Sequence, residues 1–409
     1  MRFPRQSLCG IAVATTLALA SGMASAAPAS TTWNTASISQ QSAATSAQFN
    51  AIACTDSQNC IAAGSYTNAS GFQQGDTLTS NNGGQTWSTA SLPSTTASPS
   101  FEGTIFFGAT CPTTSDCVAV GTQGYSRNTV AISSNGGASW STAKSVPQPS
   151  FMQNGLNAVS CPTTTRCVAV GSQMGTTQGQ DQVLLSGNSG STWSVVSAVY
   201  QPANTSNQLN GVSCPTASEC VAVGYTANAS GNTSNSILLS TNGGQTWNQE
   251  SSVPQPSATN QWLTAVSCSS TNNCVAVGYD TNTSGTNVNE ALVSNNGGQT
   301  WTPAASVPQP GISTNGDTLN AVSCSVNGYC VAVGQYASAM WVEQNQILVS
   351  LNNGSTWSLQ AVPQPGGSYS GQALSTVLCT GQNACIVSGQ VSDPNTGGST
   401  PEILYTSGS

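Results

Sequence analysis

The chain has 409 residues, of which only 4% are charged: 5 Lys or Arg, 13 Asp or Glu and no His, for a formal net charge of −8. Neutralising a nucleic-acid backbone needs several Lys or Arg contacts, so this balance argues against nucleic acid and against an anionic membrane surface as partners. So few titratable groups fit either an ordinary secreted composition or an acidic habitat, where protonation would build up little charge.

The amino terminus has the pattern of a secretory signal peptide. Arg2 and Arg5 precede an apolar run over residues 9–20, and small residues follow up to Ala26. A transmembrane anchor needs about 20 apolar residues, more than this run provides. We predict cleavage near Ala26, export to an extracellular or periplasmic location, and one domain over residues 27–409 that does not insert into a membrane.

Cysteines after the predicted signal peptide form seven pairs with the same C-x5-C spacing. An even number of cysteines in an exported chain predicts disulfides, and zinc-binding pairs usually lie closer together. The pairs recur about every 54 residues, a period typical of solenoids, propellers and arrays. The predicted disulfides are Cys54–Cys60, Cys111–Cys117, Cys161–Cys167, Cys214–Cys220, Cys268–Cys274, Cys324–Cys330 and Cys379–Cys385.

Each repeat contains the same four predicted strands, which the fifth repeat shows best. Residues 263–268 alternate apolar and small side chains, and residues 274–278 form a second strand after a short loop. Residues 291–294 form a third strand, and an Asn-Gly-Gly turn leads to a fourth strand opened by Trp301. Each repeat is therefore predicted to be a four-stranded antiparallel sheet.

The turns between third and fourth strands repeat as a motif. The first copy is Ser-Asn-Asn-Gly-Gly-Gln-Thr-Trp at residues 80–87, and its counterparts end at Trp140, Trp193, Trp247, Trp301 and Trp357. These turns, which we call box turns, resemble the Asp-box, or bacterial neuraminidase repeat (BNR repeat), with Asn in place of the usual Asp. In that family the boxes are structural hairpins away from the active site. The resemblance extends to sialidases and to photosystem II assembly-factor propellers, which are non-enzymatic scaffolds.

The two ends of the chain are predicted to complete each other. Seven cysteine pairs accompany six complete boxes, and residues 402–409 form a third strand that stops inside its turn. Residues 31–37, which include Trp33, match the fourth strands. We therefore predict an all-β, seven-bladed β-propeller whose N-terminal strand completes the C-terminal blade, with one disulfide per blade. An open β-solenoid is the alternative.

This topology divides the predicted propeller into two faces. Cysteine loops and box turns lie on one face, and the second-to-third loops and blade connections lie on the other, which we call the variable face. Val-Pro-Gln-Pro segments, as at residues 146–149 and 253–256, are predicted to be extended exits from the outer strands. Loops on a rigid scaffold usually carry function, and exposed aromatic residues can stack on a sugar or anchor a protein. The predicted binding residues are Trp262, Trp341, Tyr336, Tyr279 and Arg127.

Catalysis is the alternative to binding. Without histidine the chain has no Ser-His-Asp triad and no histidine metal site, and we predict no cofactor. The resemblance to sialidases implies three arginines, but after processing only Arg127 and Arg166 remain, so sialidase activity is disfavoured. A glycoside hydrolase could use two loop carboxylates, and the candidates are Asp280, Glu290, Asp317 and Glu343. We predict a monomeric, non-enzymatic scaffold that binds a protein or glycan at the cell surface.

Overall fold

Seven sheets arranged as blades make up the part of the chain that the computed structural model describes, which is residues 31–39, 44–92, 103–124, 126–148, 153–175, 177–255, 260–311, 316–367, 370–393 and 397–406. These residues confirm the predicted all-β, seven-bladed propeller of antiparallel sheets. The predicted signal peptide lies outside them. Within them, no helix is long and apolar enough to cross a membrane.

The strands follow the predicted order within each blade. Two short strands come first, β1 (Trp33–Thr35) and β2 (Ser37–Ile38). Blades 1 to 3 contain β3 (Ser46–Cys54), β4 (Cys60–Thr67), β5 (Gln73–Ser80) and β6 (Thr86–Thr89); β7 (Thr104–Thr110), β8 (Cys117–Gln123), β9 (Arg127–Ser133) and β10 (Ser141–Thr142); β11 (Gly155–Ser160), β12 (Cys167–Met174), β13 (Gly179–Ser186) and β14 (Ser194–Val195).

Blades 4 to 7 continue the same pattern. Their strands are β15 (Ser206–Ser213), β16 (Cys220–Ala227), β17 (Thr233–Ser240) and β18 (Asn248–Gln249); β19 (Asn260–Cys268), β20 (Cys274–Thr281), β21 (Asn287–Ser294) and β22 (Thr302–Pro303); β23 (Asp317–Cys324), β24 (Cys330–Ala337), β25 (Glu343–Ser350) and β26 (Ser358–Leu359); β27 (Gln372–Gly381), β28 (Ala384–Ser392) and β29 (Ser399–Thr406). Blade 7 has three strands of its own and takes its fourth from the start of the chain.

The amino-terminal segment closes the ring at two places. β1 pairs antiparallel with β29, with Trp33 opposite Thr406, which confirms the predicted completion of blade 7. β2 then pairs in parallel with β6 and gives blade 1 a fifth strand, which the sequence did not predict. The same segment therefore joins the last blade to the first: it supplies the outer strand of blade 7 and covers the outer strand of blade 1 with a hydrogen-bonded partner.

The core consists of seven apolar clusters, each between two neighbouring blades. Each cluster contains one buried tryptophan. Trp33 packs with Ile347 and Val349 of blade 6 and so takes the place of the missing seventh box tryptophan. The others are Trp87, Trp140, Trp193, Trp247, Trp301 and Trp357.

A glycine in each second strand lets the innermost strand bulge toward its neighbour. In blade 5 the register shifts between Leu263 and Ala265, and a Cβ on Gly278 would overlap the backbone carbonyl oxygen of Trp262. The equivalent residues are Gly64, Gly121, Gly171, Gly224, Gly334 and Gly389. The repeated Ala-Val-Gly sequence therefore encodes a β-bulge.

Disulfides and box turns occupy one face, as predicted. All seven C-x5-C pairs are bonded, and in Cys268–Cys274 the two Cα atoms are 4.0 Å apart. The box turns contact the cysteine loops, since the Gly297 N–H donates to the Asn272 carbonyl at 2.9 Å. Seven disulfides indicate an oxidising, extracytoplasmic environment.

Candidate functional site

The second-to-third turns on the variable face share one backbone conformation in blades 1, 4, 5 and 6. The fourth residue of each turn donates its N–H to the carbonyl of the first, as from Gly71 to Asn68 at 2.9 Å and from Trp341 to Ser338 at 3.0 Å. The fourth residue has a positive φ in every case. In blades 1, 4 and 5 it is a glycine, with φ of 83°, 84° and 79°, and in blade 6 it is Trp341, with φ of 64°.

Trp341 is both strained and exposed. A bulky residue at positive φ is a rare outlier, and such a conformation costs about 1–3 kcal/mol. Its side chain is 59% exposed and the adjacent Met340 is 52% exposed, so burial does not offset this cost. Blade 6 therefore presents an indole ring at a position where three other blades have no side chain.

Three aromatic side chains from blades 4 and 5 form a second feature of this face. The ring of Trp262 on β19 makes edge contacts with Tyr225 on β16 and Tyr279 on β20, with centroids 5.4 and 5.2 Å apart. All three side chains are half-buried. Burial raises the pKa of Tyr279 to about 12, so its ring is neutral at physiological pH. We call Tyr225, Trp262 and Tyr279 the aromatic cluster.

Two of the four candidate acids line one cleft. Asp280 on β20 and Glu290 on β21 border a cavity of about 270 Å³ between Gln255 and Val307. Burial raises the pKa of Glu290 to about 7, while its hydrogen bond from Asn235 lowers it and the Asp280 charge raises it further. Burial also raises the pKa of Asp280. Burial therefore favours the protonated form of both carboxyl groups.

The other candidate residues lie apart from this cleft. Asp317 on β23 is buried and accepts a hydrogen bond from the Gly311 N–H at 2.7 Å, and burial raises its pKa to about 6. Glu343 begins β25 and is exposed, Tyr336 on β24 is half-buried, and Arg127 begins β9 and is exposed.

The prediction that the candidate acids lie in loops was wrong. Asp280, Glu290, Asp317 and Glu343 all belong to strands. The polar loops are shorter than the sequence suggested, because the second and third strands of these blades extend past the apolar residues. Of the predicted binding residues, Trp341 alone lies in a loop among the described parts of the chain.

Glutamine side chains on the blade connections form a set of contacts that the sequence did not predict. The Gln255 amide accepts from the Asn235 N–H at 3.0 Å and donates to the Asn235 carbonyl at 2.9 Å, as a strand would. The same paired bonds join Gln148, Gln201, Gln309 and Gln364 to the backbones of Asn128, Asp181, Asn289 and Asn345. The recurrent Val-Pro-Gln-Pro segment was the sequence pattern from which these glutamine contacts could have been predicted.

The described residues contain no group of three or more His, Cys, Asp or Glu side chains that could hold a metal ion. The groups that the described variable face offers to a ligand are therefore aromatic rings, amide groups and carboxyl groups with a raised pKa.

Comparison with known proteins places this architecture among solved propellers. No family model matches the chain, and no curated protein matches its sequence. YCF48 from Cyanidioschyzon merolae is similar in structure, with 13% identity, a TM-score of 0.52, and 92% of this chain and 98% of that chain covered. A protein of unknown function from Dyadobacter fermentans has 13% identity and a TM-score of 0.54, with 91% and 98% covered. These likenesses show the fold.

A glycoside hydrolase is also similar in structure. The GH74 xyloglucanase from Xanthomonas campestris has 15% identity and a TM-score of 0.52, and 85% of this chain and 51% of that chain are covered. The chain thus spans about half the length of that enzyme. At such low identity the fold is shared and the activity is not thereby assigned.

Proposed function

We propose that this protein is an exported, non-enzymatic scaffold that binds a protein or glycan at the cell surface through its variable face. The observation that carries the proposal is Trp341, an exposed indole at a positive φ where the equivalent turns have glycine. Backbone strain of this kind clusters at ligand-binding positions, and exposed tryptophans are frequent anchors of binding.

The rigidity of the scaffold supports this role. Seven disulfides, a doubly joined ring and paired glutamine bonds hold the blades, so a loop residue on this frame loses little conformational freedom on binding. The aromatic cluster adds partly exposed apolar surface on blades 4 and 5. We assign Trp341 as the main anchor and Trp262 with Tyr279 as a second contact.

Two further assignments belong to this proposal. The box turns have the hydrogen-bonded serine and the positive-φ glycine that an Asp-box hairpin needs, as in the 3.0 Å bond from the Gly84 N–H to Ser80 Oγ, and we assign them to that class. We also assign residues 1–26 as a cleaved signal peptide, which fits the oxidising environment that the disulfides indicate.

Glycoside hydrolysis is the competing function, and the shared cleft of Asp280 and Glu290 favours it. Two carboxyl groups in one cleft are what a general acid and a nucleophile or base require. The cleft's volume of about 270 Å³ is below the usual range for ligand pockets, about 300–1,000 Å³. Moreover, Asn235 occupies both oxygens of Glu290, at 2.8 and 3.0 Å. The small volume of the cleft and the hydrogen bonds to both Glu290 oxygens favour a binding scaffold over a hydrolase.

A paired screen separates the two functions. The purified protein is applied to a glycan array and a panel of displayed extracellular proteins, and in parallel to soluble polysaccharides with a reducing-end assay. Binding without release of reducing ends, lost in Trp341→Gly, supports the scaffold. Release that is abolished by Asp280→Asn and Glu290→Gln supports the hydrolase and overturns the scaffold.

A further inference from the structure

Equivalent positions on the third strands form a polar layer between neighbouring blades. One position in each of blades 2 to 6 receives the paired glutamine bonds, and in blades 2, 4, 5 and 6 it is Asn128, Asn235, Asn289 and Asn345. The next residue along the strand faces the preceding blade. At the junction of blades 5 and 6 the two positions meet as amides, since Asn289 Nδ2 donates to Gln346 Oε1 and Gln346 Nε2 donates to Asn289 Oδ1, both at 3.0 Å.

Carboxyl groups occupy the same layer in four other places. Asp76 in blade 1 lies opposite Gly64 as Gln346 lies opposite Gly334, and the other three acids belong to blades 3, 5 and 7. Glu290 takes the position of Gln346 at the junction of blades 4 and 5, where Asn235 Nδ2 lies 2.8 Å from Oε1. Glu402 takes it at the junction of blades 6 and 7, where Asn345 Nδ2 lies 2.8 Å from Oε2. Asp181 occupies the asparagine position of blade 3 and receives the paired bonds of Gln201.

Buried acceptors without donors lie at these acids and also at the amide positions Asn128 and Gln182 of blades 2 and 3, whose Oδ1 and Oε1 atoms have no partner in the described residues. Asp181 Oδ1, Glu402 Oε1, Asn235 Oδ1 and Asn345 Oδ1 are buried and have no hydrogen-bond partner in the described residues. A carboxylate only accepts hydrogen bonds, whereas a protonated carboxyl group has the donor and acceptor of an amide. Asp181, Glu290 and Glu402 are 4%, 7% and 3% exposed, so a charge on any of them is costly.

We propose that Asp181, Glu290 and Glu402 are neutral carboxylic acids that replace amides in the interblade layer, and that their ionisation loosens the ring as the pH rises through neutrality. The inference is independent of what the variable face binds. It makes the propeller a structure that is most stable in acid.

The described strands packed around the three acids contain no compensating cation. Around Glu290 their titratable side chains are Asp280 and Tyr279 on β20 and Tyr225 on β16. Around Glu402 they are Glu343, Tyr336 and Tyr405, and Asp181 faces Tyr225. None of the strands β12, β13, β16, β17, β20, β21, β24, β25, β28 or β29 contains Lys or Arg.

The direction of the pH effect follows from linkage. Burial raises the pKa of Asp181 from 3.8 to about 8 and the pKa values of Glu290 and Glu402 from 4.5 to about 7. The folded chain therefore holds protons that the unfolded chain has lost. The contribution of these three acids to the free energy of unfolding is greatest below about pH 4. It falls until the pH passes 7 for the glutamates and 8 for Asp181.

The test is the melting temperature between pH 5 and pH 9 for the wild type and the triple variant Asp181→Asn, Glu290→Gln, Glu402→Gln. We expect the wild-type Tm to fall by about 5 °C or more over this range, and the triple variant to lose most of that fall while matching the wild type at pH 5. Asp56→Asn removes an exposed acid from a cysteine loop on the opposite face as the control, and its profile between pH 5 and pH 9 should parallel the wild type.

Three results would overturn the inference. One is a wild-type Tm that is constant or rises between pH 5 and pH 9. Another is a triple variant whose Tm falls as steeply as that of the wild type. The third is a triple variant that does not fold at pH 5, because neutral amides would then not fit the positions that we assign to neutral acids.

Discussion

Asn289 and Gln346 join blades 5 and 6 through two reciprocal amide hydrogen bonds of 3.0 Å. Gln346 also donates to the backbone carbonyls of Thr318 and Gln335, at 3.0 and 2.8 Å. Both ends of its amide group are therefore hydrogen-bonded within a side chain that is fully buried. This pair shows what the interblade layer needs, which is a donor and an acceptor on each side.

Gln346→Glu should introduce a pH dependence at this junction. A charged carboxylate at this position could not donate to Asn289 or to the two carbonyls, so the variant must take up a proton to keep a donor there. We expect a Tm close to the wild-type value at pH 5 and a clear additional fall by pH 8. The control Gln346→Met removes the bonds without adding a charge, and it should lower the Tm equally at both pH values.

Gly278→Ala should destabilise the protein more than Gly285→Ala. The new methyl group would overlap the Trp262 carbonyl at Gly278, so the backbone of the innermost strand must move, at a cost of about 3 kcal/mol or more. Gly285 has a φ of 79° but no atom within 4 Å of its Cβ position, so its substitution carries about 1 kcal/mol of backbone strain. Urea unfolding measures both, and equal losses would contradict the assigned role of the bulge.

Gln255→Ala should weaken the attachment of the blade 4 connection. The change removes two hydrogen bonds to the Asn235 backbone and leaves that N–H and carbonyl unpaired, with a loss of about 1–3 kcal/mol in the free energy of unfolding. Gln85→Ala in an exposed box turn is the matched control and should change this value by less than about 0.5 kcal/mol. A Gln255→Ala variant as stable as the control would refute this role of the glutamine.

Trp341→Gly should stabilise the protein. Glycine adopts a positive φ without strain, as Gly71 and Gly231 do in the equivalent turns, and 59% of the Trp341 side chain is exposed. The relief of strain exceeds the added flexibility of the unfolded chain, for a net gain of about 1 kcal/mol. Met340→Gly is the neighbouring control and should lower stability, since Met340 is not among the residues with positive φ. Chemical denaturation of both variants provides the comparison.

The architecture was predictable because it depends on patterns that recur. Cysteine spacing indicated the number of blades, and Trp33 revealed the closure of blade 7 since it stands where a box tryptophan was missing. The parallel pairing of β2 with β6 was not predictable, because two residues, Ser37 and Ile38, carry no distinctive pattern.

The candidate site was less predictable than the fold. Trp341 was identified as uncommon, but its strain became apparent from φ and from comparison with Gly71. Glu290 looked like a loop acid because polar residues surround it, whereas it belongs to a buried layer in which a side chain across the blade junction, Asn235, supplies its hydrogen bonds. This contact between blades joins residues 55 positions apart, and a single sequence does not reveal it.

The most direct test of the proposed function is the affinity of Trp341→Gly for a ligand identified on the glycan or protein panel. Because this variant keeps the turn, a loss of binding reports the indole itself. We expect the Kd to rise by at least about tenfold, with no change for Leu351→Ala, which removes an exposed apolar side chain from a box turn on the opposite face. An unchanged Kd in Trp341→Gly, or an equal loss in Leu351→Ala, would contradict binding through the variable face.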